Sequence, residues 1–248
     1  MPYLAEKKTF NYDDIPAGYY FHVLENGSSI RKCWHKEKFN AVIRYLPENG
    51  KLLDIGCGPG AFCFMAKKVF PDLKCEGVDI STTQIDFANE HVGKDVKDLV
   101  FHVIDSKHLP YEDNSFDVVT TIEVIEHLHP YDAMQIANEV RRVLKPDGEW
   151  IVTTPNYKSL WPIIEWGLNA VSSVKYEEQH ISKFTPNSLV KFVEAAGFDV
   201  KSTESIFFVA PFLAFISSRF AHWFLKIERK LRLPSALLVI RCKPITDS

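Results

Sequence analysis

The chain has 248 residues, 46% hydrophobic and 25% charged, enough for one large α/β domain or two small ones around a substantial core. Its 29 Lys and Arg against 32 Asp and Glu give a formal net charge of −3, which excludes an overall basic footprint for nucleic acid and leaves only local patches. Cys33, Cys57, Cys63, Cys75 and Cys242 form no C-x-x-C pair and no zinc spacing, and Met1–Asp14 lacks the apolar core of a signal peptide. A reduced, cytoplasmic protein is expected.

In chain order, residues 1–28 are rich in Tyr and Phe and read as an N-terminal cap or lid. Ile30, Trp34, Phe39, Val42, Ile43 and Leu46 give Ser29–Leu46 a helical rhythm, ended by Pro47 and Gly50, so 1–46 forms a cap and helix. Strands are expected over Lys51–Asp54, Lys74–Asp79, Leu99–Ile104, Phe116–Ile122 and Glu149–Thr154. Helices fall between them: Ala61–Phe70, Thr82–His91 with Ser81 as N-cap, and Tyr131–Leu144, stopped by a Lys145-Pro-Asp-Gly148 turn. Such alternation predicts a parallel sheet covered on both faces. Then come a helix over Thr185–Ala196, with Thr185 as N-cap, Pro186 in its first turn and Gly197 at its end, and two strands, Phe198–Phe208 and Ser235–Cys242. The last strand follows without a standard crossover helix and should be antiparallel.

The stretch Lys51-Leu-Leu-Asp-Ile-Gly-Cys-Gly-Pro-Gly60 runs from strand to glycine turn to helix, an arrangement that lets backbone approach a nucleotide-type ligand. Asp79, about twenty residues beyond the turn, is placed to accept hydrogen bonds from ribose hydroxyls. Asp54 just before the turn would repel a pyrophosphate and welcome a cationic ligand. Together with Gly77-Val-Asp-Ile-Ser81, Asp105-Ser106, Ser115-Phe-Asp-Val-Val119 and Leu144-Lys-Pro-Asp-Gly148, this corner resembles the class I S-adenosylmethionine-dependent methyltransferases over residues 30–200. The expected fold is then α/β, a Rossmann-like doubly wound seven-stranded sheet, mostly parallel with an antiparallel last strand, in a single domain. The resemblance implies S-adenosylmethionine as cofactor. It assigns Asp54, Gly56, Cys57, Gly58 and Gly60 to the methionine part, Asp79 to the ribose, Ile80 to the adenine face and Asp105 to the adenine amine, with Ser106 also in the cofactor site. Glu123, at the end of strand four, completes that expected cofactor set.

Glu123, Glu126 and His127 stand at i, i+3 and i+4 at the carboxyl end of a central strand, where a helical turn would bring them to one face. His180 precedes the late helix and should border the same pocket. Two carboxylates and two imidazoles can hold a divalent ion, which would activate a hydroxyl toward a sulfonium methyl. Without metal, His127 or His180 would serve as general base. The Glu-Val-Ile-Glu-His run with a distal His resembles the ubiquinone-biosynthesis O-methyltransferases and the small-RNA 3′-terminal 2′-O-methyltransferases. The second family implies metal ligation by Glu123, Glu126, His127 and His180.

Two apolar insertions, 157–180 around Leu160–Val171 and 209–234 with the basic run Lys226–Arg232, do not belong to a minimal fold. A spanning helix in the second would break the sheet and is rejected. Both leave from carboxyl ends of strands, on the face of the glycine turn. They fit an interfacial membrane patch, a lid over a hydrophobic substrate, or an enlarged core or dimer interface, which leaves a homo-oligomer open. The expected activity is O-methylation of a hydrophobic or lipid-linked small-molecule hydroxyl by a cytoplasmic protein peripheral to the membrane. RNA 2′-O-methylation is the alternative, disfavoured by the acidic balance, and a non-catalytic cofactor-binding scaffold is the third reading.

Overall fold

The computed structural model describes residues 15–104, 108–171, 179–207, 213, 217–231 and 235–245. Helices α1 (Tyr19–Asn26) and α2 (Ser29–Ile43) precede β1 (Gly50–Ile55), α3 (Ala61–Val69), β2 (Leu73–Asp79), α4 (Thr82–Phe87) and β3 (Leu99–Val103). Next come β4 (Phe116–Ile122), a 3-10 turn (Ile125–His127), α5 (Pro130–Val143), β5 (Leu144–Pro155) and α6 (Trp161–Val171). The chain continues with α7 (Pro186–Ala195), β6 (Phe198–Ile206), α8 (Ser218–Leu231) and β7 (Leu237–Pro244).

The seven strands lie in the order β3-β2-β1-β4-β5-β7-β6. Pairings from β3 through β5 are parallel, and β7 runs antiparallel to both β5 and β6. The fold is the expected Rossmann-like one. Adjacent residues of β1 face opposite sides: Leu52 joins the core under α2 and α3 with Val42 and Phe62, while Leu53 joins the core under α5 and α7 with Val140 and Leu189. Each such fully buried aliphatic side chain contributes about 1.5–3 kcal/mol of hydrophobic stabilisation. The chain runs from β1 outward through β2 to β3 on one side and crosses back from β3 to β4 on the other side of β1, so the crevice beyond the carboxyl ends of β1 and β4 is the topological switch point.

Local chemistry explains most boundaries. Ser81 Oγ accepts from Gln84 N, and Thr185 with Ser188 forms a capping box ahead of Pro186. Several boundaries differ from expectation, three of them for a visible structural reason. The helix after Ser81 widens into a π-helical turn over Ala88–Gly93, where Asn89 Nδ2 donates to the Phe101 carbonyl. Strand three ends its ladder at Val103, one residue early. The Lys145–Gly148 stretch is no free turn: Phe116 pairs with Leu144 and Val118 with Glu149, so the residues between bulge out of a continuous β5. Asp117 fixes that bulge by accepting from Lys145 Nζ at 2.7 Å and from Lys51 N at 2.8 Å.

Candidate active site

The turn after β1 carries the tightest backbone in the site. Gly56 and Gly60 have φ of 75° and 77°, and a Cβ would meet Val124 Cγ2 at 2.5 Å or the Phe101 ring at 2.4 Å. Only glycine fits there. Asp54 is buried at the end of β1, accepting from Thr120 Oγ1 at 2.6 Å and from Cys63 Sγ at 3.8 Å. Burial pushes its carboxyl up to about 7, against the opposing Thr120 hydrogen bond and with a further push from Asp79. Burial also raises the Cys57 and Cys63 thiols well above their ordinary value, so neither is a nucleophile at neutral pH. Asp79 accepts from Gly58 N at 2.8 Å and Ser81 N at 2.9 Å, which ties the end of β2 to the glycine turn. Ile80 is 48% exposed on the wall of the same cavity.

That cavity has a volume of about 250 Å³ and runs from the glycine turn past Glu123 to His127 and His180. The N-terminal segment closes one side with Ile15 and Tyr20. Gln84 holds it there, accepting from Gly18 N at 3.2 Å and donating to the carbonyls of Ile15 at 3.0 Å and Pro16 at 3.2 Å.

Glu123 adopts a left-handed φ of 54°, with its N–H donating to Thr153 O at 3.1 Å. Strain in a non-glycine residue of this kind is held by its surroundings and gathers at functional sites. Its carboxylate is paired with the buried Lys38 of α2. Burial alone would raise the Glu123 pKa, but Lys38, with His35 and His180, outweighs it and holds the carboxyl below its usual value.

The 3-10 turn after β4 places Glu126 and His127, and the segment before α7 is stapled onto it. Ser182 N donates to Glu126 O at 2.9 Å, Ser182 Oγ to Leu128 O at 2.8 Å, and His127 Nδ1 to Gln179 O at 3.1 Å. The two imidazole rings are thereby brought to 5.1 Å between centroids. Burial, then the neighbouring His180, lowers the His127 pKa to about 4, so its ring is neutral at pH 7. Both carboxylate oxygens of Glu126 are buried without a hydrogen-bond partner among the described residues. Burial and the Glu123 charge push that carboxyl well above its usual range. Glu126, His127 and His180 offer ligand atoms within 4.8 Å of one another. A buried carboxyl beside two imidazoles fits a divalent ion, which would displace its proton. Glu123, placed with them in sequence, faces Lys38 instead.

Asp105 and Ser106 lie outside the described residues. Lys38, Thr120, Gln84 and Glu165 were not singled out in the sequence. Lys38 follows Trp34 by four residues on the buried stripe of α2, and Glu165 is the only acid in the apolar run Leu160–Val171; each is a charge inside an apolar pattern, which is a readable signal.

A parallel switch point with a glycine turn, a carboxylate at the end of each flanking strand and a cavity continuing beyond them defines an enzyme that binds a nucleoside cofactor beside an acceptor. Residues 30–203 match the methyltransferase domain family. The demethylmenaquinone methyltransferase of Thermotoga maritima is 29% identical over 192 residues, 71% of this chain and 80% of that protein. The ubiquinone biosynthesis O-methyltransferase of Bartonella tribocorum is 32% identical over 142 residues, 55% of this chain and 56% of that protein. Against several curated relatives the match spans about half of their length or less. Among solved structures, geranyl diphosphate methyltransferase with bound S-adenosylmethionine superposes with a TM-score of 0.61 at 16% identity, covering 92% of this chain and 90% of that one. The chain belongs to the methyltransferase domain family and is a class I S-adenosylmethionine-dependent methyltransferase.

Proposed function

We propose that this methyltransferase acts on the hydroxyl of a hydrophobic small molecule, with His180 and His127 at the reacting oxygen. The observation that carries the reading is the pair of imidazoles on the cavity wall, beyond the glycine turn and beside the apolar Trp161 of the first insertion. The two curated relatives named above carry quinone-pathway names, which agrees with an apolar acceptor. Bound S-adenosylmethionine supplies an electrophilic methyl group on sulfur. In the site proposed here, Asp54 and the Gly56–Gly60 turn take its methionine part, Asp79 the ribose and Ile80 the adenine face. The imidazole of His180 takes the proton of the acceptor hydroxyl as the oxygen–methyl bond forms and the sulfur–methyl bond breaks, then passes the proton to water. Trp161 and Leu128 exclude water from that step and orient the acceptor in line. Were Glu126, His127 and His180 to hold a divalent ion instead, His180 would serve as a ligand and not as the base, and the ion would lower the pKa of the same hydroxyl.

The test is transfer of radiolabelled methyl from S-adenosylmethionine to a polyprenylated catechol, the catechol without its tail, an aromatic amine and a short RNA with a free 3′ end. Label should appear chiefly in the prenylated catechol, and His180→Ala should lower turnover at least 100-fold. Loss of turnover in chelator with recovery on adding a divalent ion assigns the ion a role, and unchanged turnover in chelator removes it. Preferential labelling of amine or RNA, or activity indifferent to His180, overturns the reading. Cofactor binding with no product from any acceptor would favour a scaffold.

The outward faces of the two insertion helices carry Ile163, Trp166, Phe220 and Trp223, with Arg219, Lys226 and Lys230 exposed beside the latter pair. Aromatic rings mixed with cations suit docking on an anionic membrane surface, from which a hydrophobic acceptor would be drawn.

A further inference from the structure

Glu165 is a buried carboxylate on α6, a helix that belongs to the apolar insertion and not to the sheet-covering layers. It is 5% exposed, and its partner His180 is 6% exposed. His180 Nδ1 lies 2.5 Å from Glu165 Oε1. Tyr157, just after β5, directs its hydroxyl at the same carboxylate, 2.9 Å from Oε1 and 3.2 Å from Oε2, and 2.8 Å from His180 Nδ1. The phenol is pushed far above its usual pKa by burial and by Glu165, so it stays a donor. His180 lines the cavity, whereas Glu165 and Tyr157 are not among its lining residues. The carboxylate therefore grips the edge of the ring that faces away from the cavity.

Sequence dictates this contact in a specific way. Asn156 Nδ2 donates to Ser235 O at 2.9 Å and anchors the exit from β5. Ser159 Oγ accepts from Trp161 N at 3.0 Å and starts α6, with Pro162 in its first turn. Glu165 then falls one helical turn beyond Trp161, on the inward side with it, while Ile163 and Trp166 are 65% and 75% exposed on the outward side. A carboxylate with no charged function would be costly in such a place, since desolvation outweighs what a structural hydrogen bond returns.

We infer that Glu165 is a positioning residue of the active site: by accepting the Nδ1 proton of His180, with Tyr157 as second donor, it fixes the tautomer that turns Nε2 to the acceptor. The insertion helix thus contributes to the proton-accepting machinery as well as to the wall of the cavity. Carboxylate–imidazole pairs of this type orient bases and metal-ligating histidines alike, so the inference holds with or without an ion at Glu126. For the catalytic consequence it rests on the reading of His180 given above.

The test separates the two. In protein carrying ¹⁵N-labelled histidine, long-range ¹H–¹⁵N spectra at pH 7.5 should assign His180 to a single Nδ1–H tautomer, identified by the loss of its signals in His180→Gln. Glu165→Gln should convert it to a mixture or to the Nε2–H form, and lower kcat on the prenylated catechol 10–100-fold with little change in KM. Tyr157→Phe, which deletes one hydroxyl and leaves the helix intact, should give the same changes at smaller size. Thermal unfolding of each variant keeps misfolding from passing as a positive. An unchanged His180 tautomer in folded Glu165→Gln overturns the inference. A changed tautomer with unchanged kcat, or in a protein inactive on every acceptor, upholds the positioning contact and counts against His180 as the base.

Discussion

Asp54 shows how one buried carboxyl can be set against stability. Its carboxyl is raised from 3.8 to about 7 in the folded protein, chiefly by burial. Below 3.8 it is protonated whether the chain is folded or not, so it takes nothing from stability. As pH rises the unfolded chain releases this proton first, and stability falls until the folded group also ionises near 7. Asp54→Asn removes the charge while keeping an acceptor for Thr120. It should therefore be more stable than wild type at pH 8, by on the order of 4 kcal/mol, with the difference vanishing toward pH 4. It should also bind S-adenosylmethionine at least tenfold more weakly by calorimetry, because in the proposed site the cationic methionine part would lose its carboxylate. Equal stability differences at both pH values would refute the account. Lys38 and Glu123 were not legible as a pair: they are 85 residues apart, and only the packing of α2 across the mouth of the crevice joins them.

At the scale of elements, α8 carries the clearest departure from a helix built only to cover a core. Ala221 and Leu225 are buried one turn apart on its inner side, with Glu228 beside them, while Phe220 and Trp223 are 42% and 55% exposed with rings 5.6 Å apart. His222 reaches Glu37 of α2 at 3.1 Å and orients the helix. Two exposed stacked aromatics beside Lys226 and Lys230 should be removable without loss of fold. The double variant Phe220→Ser, Trp223→Ser should keep the wild-type melting temperature within a degree or two and lose most co-flotation with vesicles containing anionic lipid. Flotation equal to wild type would show that the helix serves another surface. Caps and strands were readable in sequence because each is a local affair of one side chain and the next three or four residues, as at Ser81 and Thr185. The bulge at Lys145–Gly148 was not, since it depends on the partner strand through Asp117.

For the whole molecule, the N-terminal cap, the glycine turn and the 3-10 turn close around one crevice although they come from three separate parts of the chain. A ligand filling that crevice binds only the folded state. S-adenosylmethionine at a hundred times its Kd should stabilise the protein by about 2.7 kcal/mol, equivalent to a melting temperature higher by roughly 5–10 °C for a domain of this size. Truncation before Tyr19 should weaken the shift, because Ile15 and the Gln84 bonds to the segment would be gone. No helix among the described residues is long and apolar enough to cross a membrane.

Sequence by itself determined the fold class, the strand count and the antiparallel last strand, because hydrophobic period and caps are local signals that survive without any knowledge of packing, and it indicated the cofactor through the resemblance of its motif set to a known family. Tertiary structure alone decided how the chemistry is shared out. It separated Glu123 from the Glu126, His127 and His180 group by giving it Lys38, and it supplied His180 with a carboxylate from an insertion that read only as apolar. Such pairings hinge on where side chains from distant elements converge, and on the cost of burying a charge without a partner, neither of which a linear pattern records.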